Sequence, residues 1–224
     1  MTIAENIARI RANMAAAARE AGRDPKEILL VGASKMNDAA ACREAVAAGI
    51  DALGENRVQE MVQKLEQHAY DGAPLHFIGH LQRNKVKQVV GHVALIQSVG
   101  SLELLDEIEK VAAARGLVQD ILLEVNIGRE AAKSGFAPEK VLPAAEAALE
   151  RTHVRVRGLM TIPPADAQRD ANFRYFQEVQ ALYVDMNQKL FHNELEYLSM
   201  GMSGDYEDAI RAGATMVRVG SAIF

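Results

Sequence analysis

The sequence predicts an α/β protein, a (β/α)8 TIM barrel with an extra N-terminal helix. Short apolar segments alternate with amphipathic helical segments along the whole chain, which is typical of parallel βαβ units. We count eight such strands, and residues 28–224 leave about 25 residues for each unit, which is enough for a closed barrel. No linker or shift in composition divides the 224 residues, so we expect one domain over residues 1–224.

A doubly wound open sheet is the alternative fold. Its usual G-x-G-x-x-G fingerprint does not follow the first strand.

The elements follow one another regularly. Ile3, Ile7, Ile10 and Met14 lie at helical spacing and predict a leading helix that ends near Gly22. Short apolar runs predict strands over residues 28–34, 51–54, 76–80, 94–99, 120–126, 154–161, 197–201 and 215–220. The segments between them predict helices over residues 38–48, 58–68, 84–90, 101–115, 138–151, 165–190 and 205–212, with Gly49 closing the first and Ser101 capping the fourth.

Composition excludes several classes of protein. Hydrophobic residues make up 49% of the chain, which is too many for a disordered protein. The net charge of −5 leaves no basic footprint, so we expect neither nucleic acid nor a membrane as a partner. No apolar run approaches the length of a membrane span. Cys42 is the sole cysteine, which excludes an intramolecular disulfide and favours a cytoplasmic protein.

Lys35 is the most unusual residue at a predicted strand end. By alternation it shares a face with Leu29, Val31 and Ala33. A lysine in apolar surroundings loses its proton readily and becomes a nucleophile, as in Schiff-base lysines. The alternative is a lysine that extends from the strand end into solvent.

Small and hydroxylated residues follow the last two strands. Ser203 lies in the turn before a helix that opens at Asp205, and Gly220 and Ser221 follow the eighth strand. Barrels often bind phosphate between these two loops, although tight turns would also explain the composition. Arg218 shares the barrel-facing side with Met216, so its guanidinium needs either a carboxylate partner or a ligand.

No metal site is predicted. His76 and His80 lie four residues apart in a strand, without Asp or Cys ligands nearby, so structural or ligand-lining roles are favoured.

Nine stretches in order along the chain resemble the pyridoxal phosphate homeostasis family, whose single-domain members are similar to the barrel domain of alanine racemase. These stretches are residues 30–35, 54–60, 76–85, 97–99, 124–128, 133–136, 158–161, 198–203 and 217–224.

The resemblance implies a pyridoxal 5′-phosphate site. Lys35 would hold this cofactor as a Schiff base (the internal aldimine), and Arg218 would face the pyridine nitrogen. A cation there keeps that nitrogen unprotonated and weakens the cofactor as an electron sink. The phosphate would be held by Ser203, Gly220 and Ser221, and the ring would be lined by Asn56, His80 and Met200.

The resemblance also implies a role in cofactor supply. Alanine racemases have a second, β-rich domain that supplies a tyrosine opposite the lysine, and we expect no counterpart to it here, because the resemblance is to the barrel domain alone. We therefore expect a monomeric binding protein without catalytic residues, which delivers the cofactor to apo-enzymes or buffers it. The alternatives are an amino-acid racemase or related enzyme that uses Lys35 as its base, and a phosphosugar barrel in which Lys35 forms a substrate imine.

Overall fold

Eight parallel strands close into a barrel. The computed structural model describes residues 1–165 and 167–224. Each strand pairs with the next one along the chain, and the eighth pairs with the first through Val31 and Arg218. The strands are β1 (Leu29–Ala33), β2 (Ala52–Glu55), β3 (Leu75–Phe77), β4 (Leu95–Val99), β5 (Gln119–Val125), β6 (Val154–Thr161), β7 (Tyr197–Ser199) and β8 (Met216–Val219).

Helices follow each strand except the last and surround the barrel. A leading helix precedes β1, as the sequence predicts. The helices in the described part of the chain are α1 (Ile3–Glu20), α2 (Ala39–Ala47), α3 (Val58–Glu66), α4 (Val86–Val89), α5 (Leu102–Arg115), α6 (Val141–Leu149), α7 (Arg169–Leu190) and α8 (Tyr206–Arg211). The predicted barrel, rather than the open sheet, is confirmed.

Several predicted elements are shorter than expected. The helix predicted from residue 165 begins at Arg169, because Gln168 has an extended backbone; Asp166 within the predicted range lies outside the described residues. Residues 138–140 form a 3-10 turn ahead of α6, and the strand predicted to reach Gly201 ends at Ser199.

Two hydrophobic layers hold the barrel together. Alternating strand residues point inward or toward the helices, because successive side chains of a strand lie on opposite faces. The inward cluster contains Val31, Ala52, Leu95, Leu122, Met160 and Met216. Outward residues such as Leu30 and Val217 join the buried faces of the helices in a larger cluster. The inner layer fills the barrel, so a ligand site has to lie above it, at the carboxyl ends of the strands, which we call the mouth.

Helix α1 is fixed to the barrel by packing and polar contacts. Thr2 and Glu5 form a capping box at its start, and Ile7 and Ile10 are fully buried. Arg11 forms an ion pair with Asp51 at 3.0 Å. Among the described residues, no helix combines the length and the apolar character needed to span a membrane.

Candidate functional site

Lys35 lies in a turn at the mouth. Strand β1 ends at Ala33, Ser34 is buried, and Lys35 and Met36 are exposed. The apolar surroundings predicted for Lys35 are therefore wrong, because the residue lies beyond the strand rather than at its last inward position. The alternative, in which the side chain extends from the strand end, is the arrangement that the structure shows, and it leaves the amine accessible to a ligand.

The loops after β7 and β8 contact one another beside Lys35. The N–H of Gly220 donates to Ser203 Oγ at 3.2 Å, so the two loops form one surface. Gly201 has a φ of 93°, and a Cβ there would lie 2.5 Å from Ala209, so the β7 loop requires glycine at this position. Strand β8 adjoins β1, which places the Ser203, Gly220 and Ser221 surface next to the turn of Lys35.

Arg218 lies inside the barrel directly below these loops. Its side chain is 3% exposed, and Met216 on the same strand belongs to the inward cluster, as the alternation predicts. Nη1 donates to Ser199 Oγ at 2.5 Å and Nη2 donates to the carbonyl of Thr161 at 3.0 Å. No carboxylate of the described residues lies within ion-pair distance of Arg218. Burial lowers the pKa of Arg218 to about 10, against the raising effect of Asp205 and Glu124.

A chain of hydrogen bonds continues from Arg218 across the barrel. Ser199 Oγ donates to Gln97 Oε1 at 2.6 Å. Gln97 Nε2 then faces His76 Nδ1 at 3.0 Å. Because the amide oxygen already accepts from Ser199, the amide nitrogen donates to His76, and His76 carries its proton on Nε2. Burial lowers the pKa of His76 to about 4, so the ring stays neutral at physiological pH.

Glu124 faces the mouth from β5. It is buried, and burial raises the pKa of its carboxyl group, although the hydroxyl of Ser134 and the charges of Arg218 and His80 lower it in part. The Ser134 hydroxyl donates to Glu124 Oε2 at 3.1 Å. A cavity of about 610 Å³ opens beside it, lined by His80 and Ser98 among other residues of the β3, β4 and β5 loops. His80 therefore lies at the mouth, exposed, whereas His76 lies below it in the interior.

The remaining predicted residues, Asn56 and Met200, differ in position. Asn56 follows β2 at the mouth, and its buried Oδ1 has no hydrogen-bond partner among the described residues. Met200 is fully buried in the cluster between the barrel and the helices. It lies on the outward face of the chain, one residue beyond inward-facing Ser199, and this burial does not favour the predicted contact with a ligand ring.

The residues at the mouth provide the chemical groups that pyridoxal 5′-phosphate needs for binding. The site offers an accessible amine at Lys35, a buried cation at Arg218, and at Asn56 Oδ1 an acceptor without a partner in the described part of the chain. The hydroxyl and backbone surface of the β7 and β8 loops matches a phosphate group. An aldehyde, a ring nitrogen and a phosphate each have a counterpart.

Ser199, Gln97 and Glu124 surround Arg218 or influence it, and the sequence patterns did not single them out. A usable signal existed, since Gln97 lies two residues after Leu95 and Ser199 two residues after Tyr197, both of which point inward. A polar residue at an inward strand position is unusual in a packed barrel interior and has to find a partner there.

Comparison with known proteins identifies relatives of nearly the same length. A family model described as the N-terminal domain of alanine racemase matches residues 6–224. A pyridoxal phosphate homeostasis protein of Aquifex aeolicus is 41% identical over 224 residues, which cover 100% of this chain and 98% of that protein. The Pseudomonas aeruginosa protein of the same name is 42% identical and covers 100% of this chain and 95% of that protein.

Solved structures agree with this comparison. PipY of Synechococcus elongatus, solved with pyridoxal phosphate bound, is 31% identical with a TM-score of 0.87, and each chain is covered completely. Alanine racemase of Clostridium difficile is 18% identical with a TM-score of 0.72, and the match covers 88% of this chain and 52% of the racemase. The racemase comparison supports the fold alone.

Proposed function

This chain belongs to the pyridoxal phosphate homeostasis family, and from that premise we propose that it binds pyridoxal 5′-phosphate at the barrel mouth and regulates its supply. When bound, the cofactor supplies an aldehyde that exchanges reversibly between amines. The protein provides an amine for the aldehyde, a binding surface for the phosphate and a cation for the ring.

The observation that carries the proposal is the environment of Arg218. A buried guanidinium normally pairs with a carboxylate, because an unpaired buried charge is costly. Arg218 instead donates to two neutral oxygens, those of Ser199 and Thr161. A cation held in this way suits an uncharged acceptor such as a pyridine nitrogen, and it disfavours protonation of that nitrogen. The cofactor is thereby a poor electron sink, which suits storage better than catalysis.

Lys35 is the amine that we propose forms the covalent bond. It is exposed at the mouth, and its strand adjoins β8, which carries Arg218. Its Nζ, once uncharged, adds to the aldehyde carbon, and loss of water leaves a C=N bond. Water can add back to the C=N bond and release the amine, so the attachment is reversible, and no oxidant or reductant is needed.

We assign the phosphate to Ser203, Gly220 and Ser221, whose loops are joined by the Gly220–Ser203 hydrogen bond. Asn56 and His80 stay candidates for contacts with the ring, since both lie at the mouth. The orphaned Asn56 Oδ1 suits a ligand hydroxyl group, because it is an acceptor without a donor among the described residues.

The wider role follows from this chemistry. We propose a cytoplasmic protein of one domain, residues 1–224, that holds a reactive aldehyde away from free amines and passes it to apo-enzymes. We also propose a monomer, because its exposed large hydrophobic side chains lie on separate segments rather than in one run. Light scattering should give a mass near 24.4 kDa, and twice that mass would contradict the monomer.

A binding titration tests the covalent role of Lys35. Lys35→Ala should weaken binding of pyridoxal phosphate by about tenfold or more and leave residual binding through the phosphate. The control is Lys87→Ala, which removes another exposed lysine from α4. Visible absorbance of the protein measures both. Equal affinity of the Lys35→Ala variant and the unaltered protein would contradict the proposal.

A turnover assay separates binding from catalysis. The loaded protein should pass its cofactor to an apo-enzyme and leave the enantiomers of alanine and other amino acids unchanged. Racemisation at about 1 per second or faster would show an ordinary enzyme and overturn the non-catalytic role.

A further inference from the structure

A buried polar cluster lies beneath the turn of Lys35. We call it the Lys64 cluster, and it consists of Ser34, Glu55, Glu60, Lys64 and Tyr70. Glu55 ends β2 and is fully buried, and the side chain of Lys64 on α3 is 6% exposed. Glu55 Oε1 accepts from the hydroxyls of Ser34 at 2.6 Å and Tyr70 at 3.0 Å. Glu55 Oε1 thus joins two hydroxyl groups to the cluster, whereas the buried Glu55 Oε2 has no hydrogen-bond partner among the described residues.

Lys64 is saturated within this cluster. Its ammonium group donates to Glu55 Oε1 at 2.6 Å, Glu60 Oε1 at 2.8 Å and the carbonyl of Ser34 at 2.7 Å. An ammonium has three protons, and three oxygens receive them. Burial lowers the pKa of Lys64, but the hydrogen bonds to Glu55 and Glu60 raise it by more than burial lowers it. The pKa of Lys64 is therefore above its ordinary value, and the side chain keeps its positive charge.

Lys64 and Glu60 each form a hydrogen bond with the backbone next to Lys35, one on either side of it. The Ser34 carbonyl, which accepts from Lys64, immediately precedes Lys35. The N–H of Met36, which follows Lys35, donates to Glu60 Oε1 at 2.6 Å. Met36 has a φ of 63°, a left-handed conformation that a residue with a side chain seldom adopts unless its surroundings hold it there.

This arrangement is unlike an ordinary stabilising ion pair. A buried pair of charges contributes little net stability compared with apolar residues of the same volume. What the cluster does fix is the direction of the chain through Lys35, whose own side chain is exposed. Fixing the backbone limits the directions in which the amine can project, and correct orientation of a reacting group strongly favours bond formation.

We propose that Lys64 and Glu60 are positioning residues, which hold the Lys35 turn so that its amine faces the aldehyde of the bound cofactor. This inference rests on the proposed function. It assigns no contact with the ligand to either residue, so their loss should weaken the covalent bond and spare the noncovalent contacts.

Two ligands separate these contributions. Pyridoxal 5′-phosphate has the aldehyde, whereas pyridoxine 5′-phosphate has an alcohol in its place and cannot condense with an amine. Lys64→Met and Glu60→Met should each weaken pyridoxal phosphate about tenfold while pyridoxine phosphate stays within about twofold. Glu60→Gln keeps an acceptor oxygen for the Met36 N–H and should retain most of the affinity.

A matched control comes from α7. Lys189 forms an (i,i+4) ion pair with Asp185, as Lys64 does with Glu60, but on the surface and far from the turn in sequence. Lys189→Met should leave the affinity for both ligands unchanged. If Lys64→Met does not fold, the comparison of Glu60→Met with Glu60→Gln carries the test.

The outcomes distinguish this inference from the proposed function. Equal weakening of both ligands, or unchanged pyridoxal phosphate affinity in Glu60→Met, would overturn the positioning role. If the unaltered protein bound the two ligands equally and showed no absorbance of a C=N bond, the covalent function itself would fail, and the positioning role with it.

Discussion

At the scale of residues, four buried polar side chains accompany the apolar side chains that line the barrel interior. Arg218, Ser199, Gln97 and His76 form one line of hydrogen bonds. The line has a fixed direction, because the guanidinium can only donate, and each following group accepts on one side and donates on the other. Arg218 is therefore held in place by hydrogen bonds to other residues of the barrel.

Replacing Arg218 tests its role toward the cofactor. Arg218→Gln should weaken binding of pyridoxal phosphate about tenfold or more, because a hydrogen bond from a charged donor is lost. Arg157→Gln is the control, since Arg157 lines a separate cavity of about 520 Å³ with Glu196 at the amino ends of the strands. Absorbance titrations measure the dissociation constants. Unchanged affinity of the Arg218→Gln variant would show that Arg218 does not contribute to binding of the cofactor.

His76 should make stability depend on pH. Its pKa is about 4 in the folded protein because of burial and about 6.5 in an unfolded chain. Between these two pH values the unfolded state therefore binds more protons than the folded state. The contribution of His76 to the free energy of unfolding falls by about 3 kcal/mol as the pH decreases from about 6.5 to 4.

Denaturant unfolding at a series of pH values checks this dependence. His76→Asn keeps an acceptor for Gln97 and should flatten the slope between pH 4 and 6.5, while the surface variant His92→Gln should not. If the slope were the same in His76→Asn and the unaltered protein, another group would have to be responsible.

At the scale of elements, the sequence predicted the number, order and type of strands, because the spacing of apolar residues and the positions of turn residues are local properties of the chain. It was least accurate at the ends of elements. The placement of Lys35 in an apolar environment came from extending a strand one residue too far, whereas Met200 was placed against the ring by the family resemblance. An error of one residue moves a side chain to the opposite face, which decides whether it meets the ligand or the core.

The approach of β6 to β7 depends on a single glycine. Gly158 has a φ of 152°, and a Cβ there would lie 1.7 Å from the carbonyl oxygen of Tyr197. Gly158→Ala should therefore lower the free energy of unfolding by about 3 kcal/mol or more, since the strands must separate. Gly204→Ala meets no atom within 4 Å and should cost less than about 0.5 kcal/mol. Similar unfolding curves for the two variants would contradict this.

At the scale of the whole molecule, closure of the barrel brings the site together. Lys35 and Arg218 are 183 positions apart in the sequence (218 − 35), yet Lys35 follows β1, and β1 pairs with β8, the strand of Arg218. Sequence patterns identified both residues as unusual, but only the closed barrel gives them a common environment. The partners of Arg218 come from β6 and β7, so no local pattern could have named them.

Borohydride reduction tests the central assignment most directly. The protein is loaded with pyridoxal phosphate, reduced, digested and mapped by mass spectrometry, so that the lysine bearing the phosphopyridoxyl group is identified. We predict one modified lysine per chain, Lys35. Modification of other lysines with Lys35 left free would contradict the account.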